Sequence, residues 1–239
     1  MEPLRVTIWN EFVHEKEDER AKAQYPGGIH EQLRKALQAD DLVINTGWLD
    51  KDEEHGLSEE VLADTDVLLW WGHTAHGRVR DDVADRVVAR VQRGMGFIGL
   101  HSAHMSKPFM RLMGTPCTLR WRENDDRCIV WNVNPTHPIT RGVPLHFLLE
   151  KEEMYGEYFF IPQPEELIFV SWFDGGQAFR SGCTFTRGLG KIFYFQPGHE
   201  IYPSYHNENV IRVIANGIRW AAPAPERDFR EGAKMGAVV

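Results

Sequence analysis

Two histidines three residues apart, His101 and His104 in FIGLHSAH (residues 97–104), stand where an apolar, strand-like run hands over to a helix-like one. The placement recurs along the chain. Asn10-Glu11 follows the strand signal of residues 4–9, Gly72-His73-Thr74-Ala75-His76 that of 66–71, and Pro197-Gly198-His199-Glu200 that of 192–196. Neutral imidazoles beside carboxylates suit a borderline divalent ion such as zinc, which at catalytic sites takes three protein ligands and a water. The same residues suit metal-free acid/base catalysis by a His and Glu pair. No HExxH or comparable tight motif is present, so the metal reading, with His73, His104 and His199 as ligands, requires distant segments to converge. His101 is the apex of a strand-turn-helix elbow, where the positive end of a helix disfavours imidazolium and leaves a free lone pair. Ser102, one residue past the apex, is the weaker candidate nucleophile.

For these residues to meet, the first half of the chain must form an open parallel sheet. Strand signals at residues 4–9 (LRVTIW), 41–48 (DLVINTGW), 66–71 (DVLLWW) and 96–100 (GFIGL) alternate with helix signals at about 29–39, 58–63 and 81–93, the pattern of a sheet covered on both faces. Ile29, Leu33, Ala36 and Leu37 share one helical face, as do Val83, Val87, Val88 and Val91, and Gly94 suits the left-handed residue that ends a helix. Ligands of such sheets sit beyond the carboxyl ends of the strands, where strand order reverses. Neighbouring strand ends lie about 4.8 Å apart, so strands one, three and four in flavodoxin-like order would bring their end residues together.

The charged stretch 10–24, ahead of the YPGG break, reads as a lid over that rim. Past Gly114, TLRWRE, CIVWNV, LIFVSW, CTFTRG and KIFYFQ read as further β elements, with RGLG as a hairpin turn. A helix at about 208–220 with Val210, Ile211, Ile214 and Ile218 on its apolar side closes the pattern. The expected fold is α/β, a doubly wound, mainly parallel, flavodoxin-like sheet with extra β elements in the second half. One domain is expected over 1–222, and a Pro/Ala-rich charged tail over 223–239 that is flexible or serves subunit contact in a homo-oligomer.

With 239 residues, 42% hydrophobic, the chain suits a single well-buried core. The net charge of −8, with Lys and Arg scattered among acids, argues against nucleic acid or an anionic membrane as a partner. No apolar run approaches the roughly 20 residues that span a bilayer, and the first strand is not preceded by a basic-then-apolar leader; a soluble cytoplasmic protein is expected. Cys117, Cys128 and Cys183 are far apart and outside any CxxC pair, which suggests buried thiols rather than disulfides or a cysteine zinc cluster. The eight tryptophans suit a carbohydrate site and an aromatic core equally.

The segments VTIWNE, YPGGIH, DVLLWWGHTAH, GFIGLHSAH, SKPFMRLMGTPCTLRWRE, HPITRG, EEMYGE, SWFDGGQAFRSGCTFTRGLGKIFYFQPGHEIYPSYH and IANGIRWAAP resemble the ThuA-like, or trehalose utilisation, proteins over nearly the whole chain. The resemblance implies the class I glutamine amidotransferase-like fold and a role in bacterial disaccharide catabolism, on a small-molecule carbohydrate. True amidotransferases carry G-x-C-x-G-H at the elbow, whereas Gly99-Leu100-His101-Ser102-Ala103-His104 places His at the cysteine position. His199 and Glu200 resemble the amidotransferase base region, but are adjacent where that family has H-x-E. Without a thiolate, glutamine hydrolysis has no first step.

What the resemblance implies instead is isomerisation or cleavage of a 3-keto disaccharide, which needs a base, an acid and a group that polarises the carbonyl, a role a divalent metal could fill. Glu11, Glu153 and His101 are then candidate bases, Glu200 a further catalytic carboxylate, and Tyr155 in EEMYGE a donor to a sugar oxygen. Trp70, Trp71 and Trp121 are candidate stacking faces, although consecutive strand residues point oppositely, so one of the first two belongs to the core. His30 in YPGGIH, at the amino end of the first helix and hence on the same rim, is a further metal ligand candidate. His137 reads as a local hydrogen-bonding residue, and His14, His55 and His146 as surface residues. The competing reading is a non-catalytic sugar-binding or regulatory protein on a disarmed amidotransferase fold.

Overall fold

The computed structural model describes residues 2–223; from residue 224 on, the expected tail lies outside the described residues. Nine strands, β1 (Leu4–Asn10), β2 (Leu42–Trp48), β3 (Val67–Trp71), β4 (Gly96–Leu100), β5 (Arg120–Asn132), β6 (His146–Gly156), β7 (Glu166–Phe173), β8 (Ala178–Arg187) and β9 (Gly190–Phe195), form one sheet in the order β2-β1-β3-β4-β9-β8-β7-β5-β6. From β2 to β9 all neighbours run parallel, and from β9 to β6 all run antiparallel. Strand order reverses between β1 and β3, as expected of a flavodoxin-like sheet.

β3 and β4 are buried at every residue, which is why they read as unbroken apolar runs rather than as alternation. The helices are α1 (His14–Glu17), α2 (Glu19–Gln24), α3 (Ile29–Ala36), α4 (Glu59–Ala63), α5 (Asp81–Gln92), α6 (Lys107–Met113) and α7 (Glu208–Ala221). Asn207 caps α7 by accepting from the backbone N–H groups of Asn209 and Val210, and the helix buries Val210, Val213, Ile214 and Ile218. It lies close to the sheet because Gly217 offers no side chain, so that a Cβ there would stand 3.0 Å from the Phe193 ring. Ser106 caps α6 and Gly114 ends it with φ +68°.

The structure redraws several of the expected elements. The helix expected over 29–39 stops at Ala36, because Leu37 leaves helical geometry to enter the core. The charged stretch 10–24 carries structure of its own: Asn10 belongs to β1, and α1 is pinned by the buried Glu15, which accepts from Asn10 Nδ2 (2.7 Å) and the Ile29 N–H (2.9 Å). TLRWRE and CIVWNV are parts of one strand, β5, broken by register shifts around Asp126. β6 has no counterpart among the expected strands, because charged Glu150–Glu153 hides a strand whose Phe147 and Leu149 face inward. The RGLG hairpin is present, with Arg187 paired to Gly190. Among the described residues no helix is long and apolar enough to cross a membrane.

Candidate active site

The elbow at His101 is under backbone strain. β4 ends at Leu100, and the chain enters a 3-10 turn, His101–Met105, through His101 at φ +52°, a conformation that costs a non-glycine residue about 1–2 kcal/mol. Two contacts from β9 and its end hold it there: the Tyr194 hydroxyl donates to the His101 carbonyl (3.0 Å), and His101 Nδ1 donates to the Gln196 carbonyl (3.0 Å). The donation leaves Nε2 as the free ring atom.

Around that ring three further side chains gather. His73 follows β3, His199 follows β9, Glu153 comes from β6, and one ligand-type atom from each of these and from His101 lies within 4.8 Å of all the others. Two buried carboxylates shape the loops that carry them. Glu11 accepts from the backbone N–H groups of His73 and Thr74, both at 3.0 Å. Glu152 accepts from those of Gly198 (2.9 Å) and His199 (3.2 Å). Glu153 Oε2 stands 3.0 Å from His101 Nε2 and 4.0 Å from His199 Nε2. His199 Nε2 is buried without a hydrogen-bond partner, whereas Glu153 Oε2 has His101 at ion-pair distance. Buried orphans are costly and uncommon, and three imidazoles with one carboxylate are a donor set that zinc-like ions take; the residues fit a divalent ion.

The charge states of the rings differ, and His101, expected to be kept neutral by the elbow, is instead favoured as imidazolium by Glu153. Burial pushes His199 down to about 4, so its ring is neutral with a lone pair to offer. Burial opposes charge on Glu153 and His101 as well, but each offsets it for the other, leaving Glu153 below and His101 above the usual range. Glu200, although buried, is held well below the carboxylate range by the hydrogen bond from His73 and by the neighbouring imidazoles. Burial and the Glu153 charge raise the Tyr155 phenol, which therefore stays protonated.

A cavity of about 460 Å³ opens beside the group, lined among others by His73, Glu153, Tyr155, His104, Trp121 and Glu123. Tyr155 is hydrogen-bonded to Ser102 Oγ and lies 3.4 Å from His101 Nε2. His104 donates from Nδ1 to the Cys117 carbonyl (2.7 Å), and burial lowers it to about 3. Trp121 is 66% exposed at the cavity wall.

Of the expected site residues, the structure brings together His73, His101, Glu153 and His199, with Tyr155 and Trp121 beside them. The others are placed differently. His104 lines the cavity but its Nδ1 is committed to Cys117, and it stands outside the four-residue group. His30 turns to Asn10, 3.0 Å away, and stacks on Trp48, so it is no ligand of that group. Glu11 is a backbone anchor rather than a base facing the cavity, and Glu200 lies behind His73 at 3.0 Å from Nδ1. Trp71 is fully buried and donates to the Gly198 carbonyl, so it offers no stacking face; Trp70 is buried as well. His55, expected at the surface, is buried and bridges the Leu49 carbonyl and the Arg80 N–H. His14 reaches the rim, 3.7 Å from Glu200. Glu123 and Glu152 carried no sequence signal, being single acids within charged runs.

The sequence model of the family described as ThuA, trehalose utilisation, matches residues 5–221. No curated protein matches the chain significantly. Among solved structures, a ThuA-like protein from Parabacteroides merdae superposes with TM-score 0.68 at 14% identity, covering 95% of this chain and 93% of its own. A ThuA-like protein from Bacteroides uniformis gives 0.65 at 16% identity, with 92% of both chains covered. PurLQS from Thermotoga maritima, which contributes an amidotransferase fold, gives 0.55 at 15% identity over 92% of this chain and 99% of that one. At these identities the likeness speaks for the fold: an α/β, mostly parallel core sheet with added antiparallel strands.

Proposed function

The chain belongs to the ThuA family, described as trehalose utilisation, and we propose that it is an enzyme of disaccharide breakdown that isomerises or cleaves an oxidised, 3-keto disaccharide of the trehalose type. In this reading His73, His101, Glu153 and His199 hold a divalent ion, zinc first among the candidates. The observation that carries it is the buried, unpartnered His199 Nε2, set beside Glu153 and two further imidazoles at the wall of an open cavity. When bound, such an ion polarises a carbonyl oxygen and so acidifies the neighbouring C–H.

The remaining roles fall to this chain's own side chains. The protonated Tyr155 hydroxyl donates to a sugar oxygen. His104, with its proton on the Nδ1 that bonds Cys117, offers the lone pair of Nε2 to a sugar hydroxyl. Glu123, at the cavity and 4.0 Å from His199 Nε2, takes the proton. Trp121 gives the sugar ring a flat apolar face, and Met105 and Leu119 limit water on the same wall. Glutaminase chemistry has no starting point, because burial raises Cys117 to about 11 and Cys183 to about 12, and Cys128 is fully buried too. We place the protein in the cytoplasm, where free cysteines such as these three stay reduced.

Metal analysis of tag-free protein together with an assay on 3-keto disaccharides tests the reading: a bound transition-metal ion and turnover are expected, and absence of both sinks it. His101 at the position where amidotransferases carry their nucleophile favours a second reading, a non-catalytic sugar-binding protein. Thermal stabilisation by the sugar, with no turnover and no response to H101A or H199A, would select that one.

A further inference from the structure

The three imidazoles of the group are held from behind in different ways. His101 Nδ1 meets a backbone carbonyl, that of Gln196. His73 Nδ1 meets a carboxylate oxygen, Glu200 Oε1, at 3.0 Å. The other oxygen of the same carboxylate, Oε2, is buried without a hydrogen-bond partner and lies 3.7 Å from His199 Nδ1. Resting on the metal reading above, we propose that Glu200 is a positioning residue, the shared outer carboxylate of His73 and His199, which holds both rings with the proton on Nδ1 and the lone pair on Nε2.

The argument is one of donors and acceptors. An ionised carboxylate only accepts, so the 3.0 Å contact places a proton on His73 Nδ1. At His199 the competing contact is the Ile201 N–H, which points at Nδ1 from 3.4 Å, at the long limit of a hydrogen bond. A shift of a few tenths of an ångström brings Glu200 Oε2 into bonding range of a protonated Nδ1 and satisfies an oxygen that otherwise has nothing. Glu200 itself is set in place by sequence adjacency to His199, which explains why an acid directly follows that histidine: one residue brings a ligand and the next supports it and the ligand's neighbour. His14 stands 3.7 Å from Oε1 on the more exposed side.

Two measurements test this on the full-length chain. Long-range proton-nitrogen spectra of the imidazoles in zinc-free protein, assigned with H73Q and H199Q, are expected to show His73 and His199 protonated at Nδ1; either ring protonated at Nε2 overturns the proposal. Competition titration with Zn2+ alone is expected to show roughly 10–100-fold weaker binding in Glu200→Ala, with partial recovery in Glu200→Asp. Undiminished affinity in a folded Glu200→Ala protein overturns it too. If the wild type takes up no Zn2+, the metal reading fails while the ring protonation still decides the role of Glu200.

Discussion

The two halves of the sheet do different work at the cavity. The parallel half ends in a rim, and from it come His73, His101 and His199, each placed by backbone contacts: Glu11 on the loop after β3, Tyr194 and Gln196 on the elbow, Glu152 on the loop after β9. The antiparallel half contributes a wall, in which burial gives way to exposure: Glu153 and Tyr155 are buried on β6, whereas Trp121 and Glu123 on β5 lie open beside them. The lesson is that buried parallel strand ends fix atoms to within the tolerance a metal ion needs, while an edge region with irregular register offers surface for recognition.

The comparison breaks most visibly at the rim. His199→Ala or His101→Ala is expected to abolish turnover and to weaken zinc binding by roughly a hundredfold or more, since loss of a ligand should exceed loss of an outer partner; metal content and activity measured on one preparation check it. Tyr155→Phe, in the wall, should slow turnover about a hundredfold, the low end for a lost acid, with metal content unchanged. Loss of metal there would erase the division between rim and wall. Trp121→Ala is expected to raise KM about tenfold, the order of one stacking contact, and to spare kcat; a fall in kcat alone would move Trp121 into the chemistry.

The smallest effect concerns stability. His30 and His104 are buried and lowered to about 4 and about 3, while in the unfolded chain they return to about 6.5. The unfolded state therefore binds protons first as the solution is acidified. Stability is full above pH 6.5 or so and declines below it, by on the order of 1 kcal/mol per pH unit for each group, until the folded rings protonate near pH 4 and 3. Urea unfolding at pH 7.5 and pH 5 reads the decline, and His30→Gln should make it shallower. An unchanged slope would mean that His30 is not the buried neutral ring seen beside Asn10.

Much of the rim was legible because a parallel sheet has one rule: polar residues just past apolar strands gather at one end. GFIGLHSAH and DVLLWWGHTAH are strong in that respect, since each runs from a fully buried strand straight into its histidine. The wall was harder to read. β6 carries four consecutive charged residues, yet Glu152 and Glu153 are buried because one caps the loop after β9 and the other faces His101. Nothing in a charged run distinguishes an acid that will be buried with partners from one that stays in water.

By itself the sequence determined the alternation of strand and helix, the elbow at His101 and the absence of a thiolate there, since these follow from local periodicity and residue type; the order of the strands was decided by the tertiary structure. Only the tertiary structure decided which acids and imidazoles turn toward the cavity. Glu11, Glu200, His30 and Trp71 sit at the expected rim but face backbone groups, another ring or the core, and the side on which a side chain emerges depends on contacts with segments as distant as residues 196–204. Position along a strand follows from neighbours in sequence; direction at its end follows from neighbours in space.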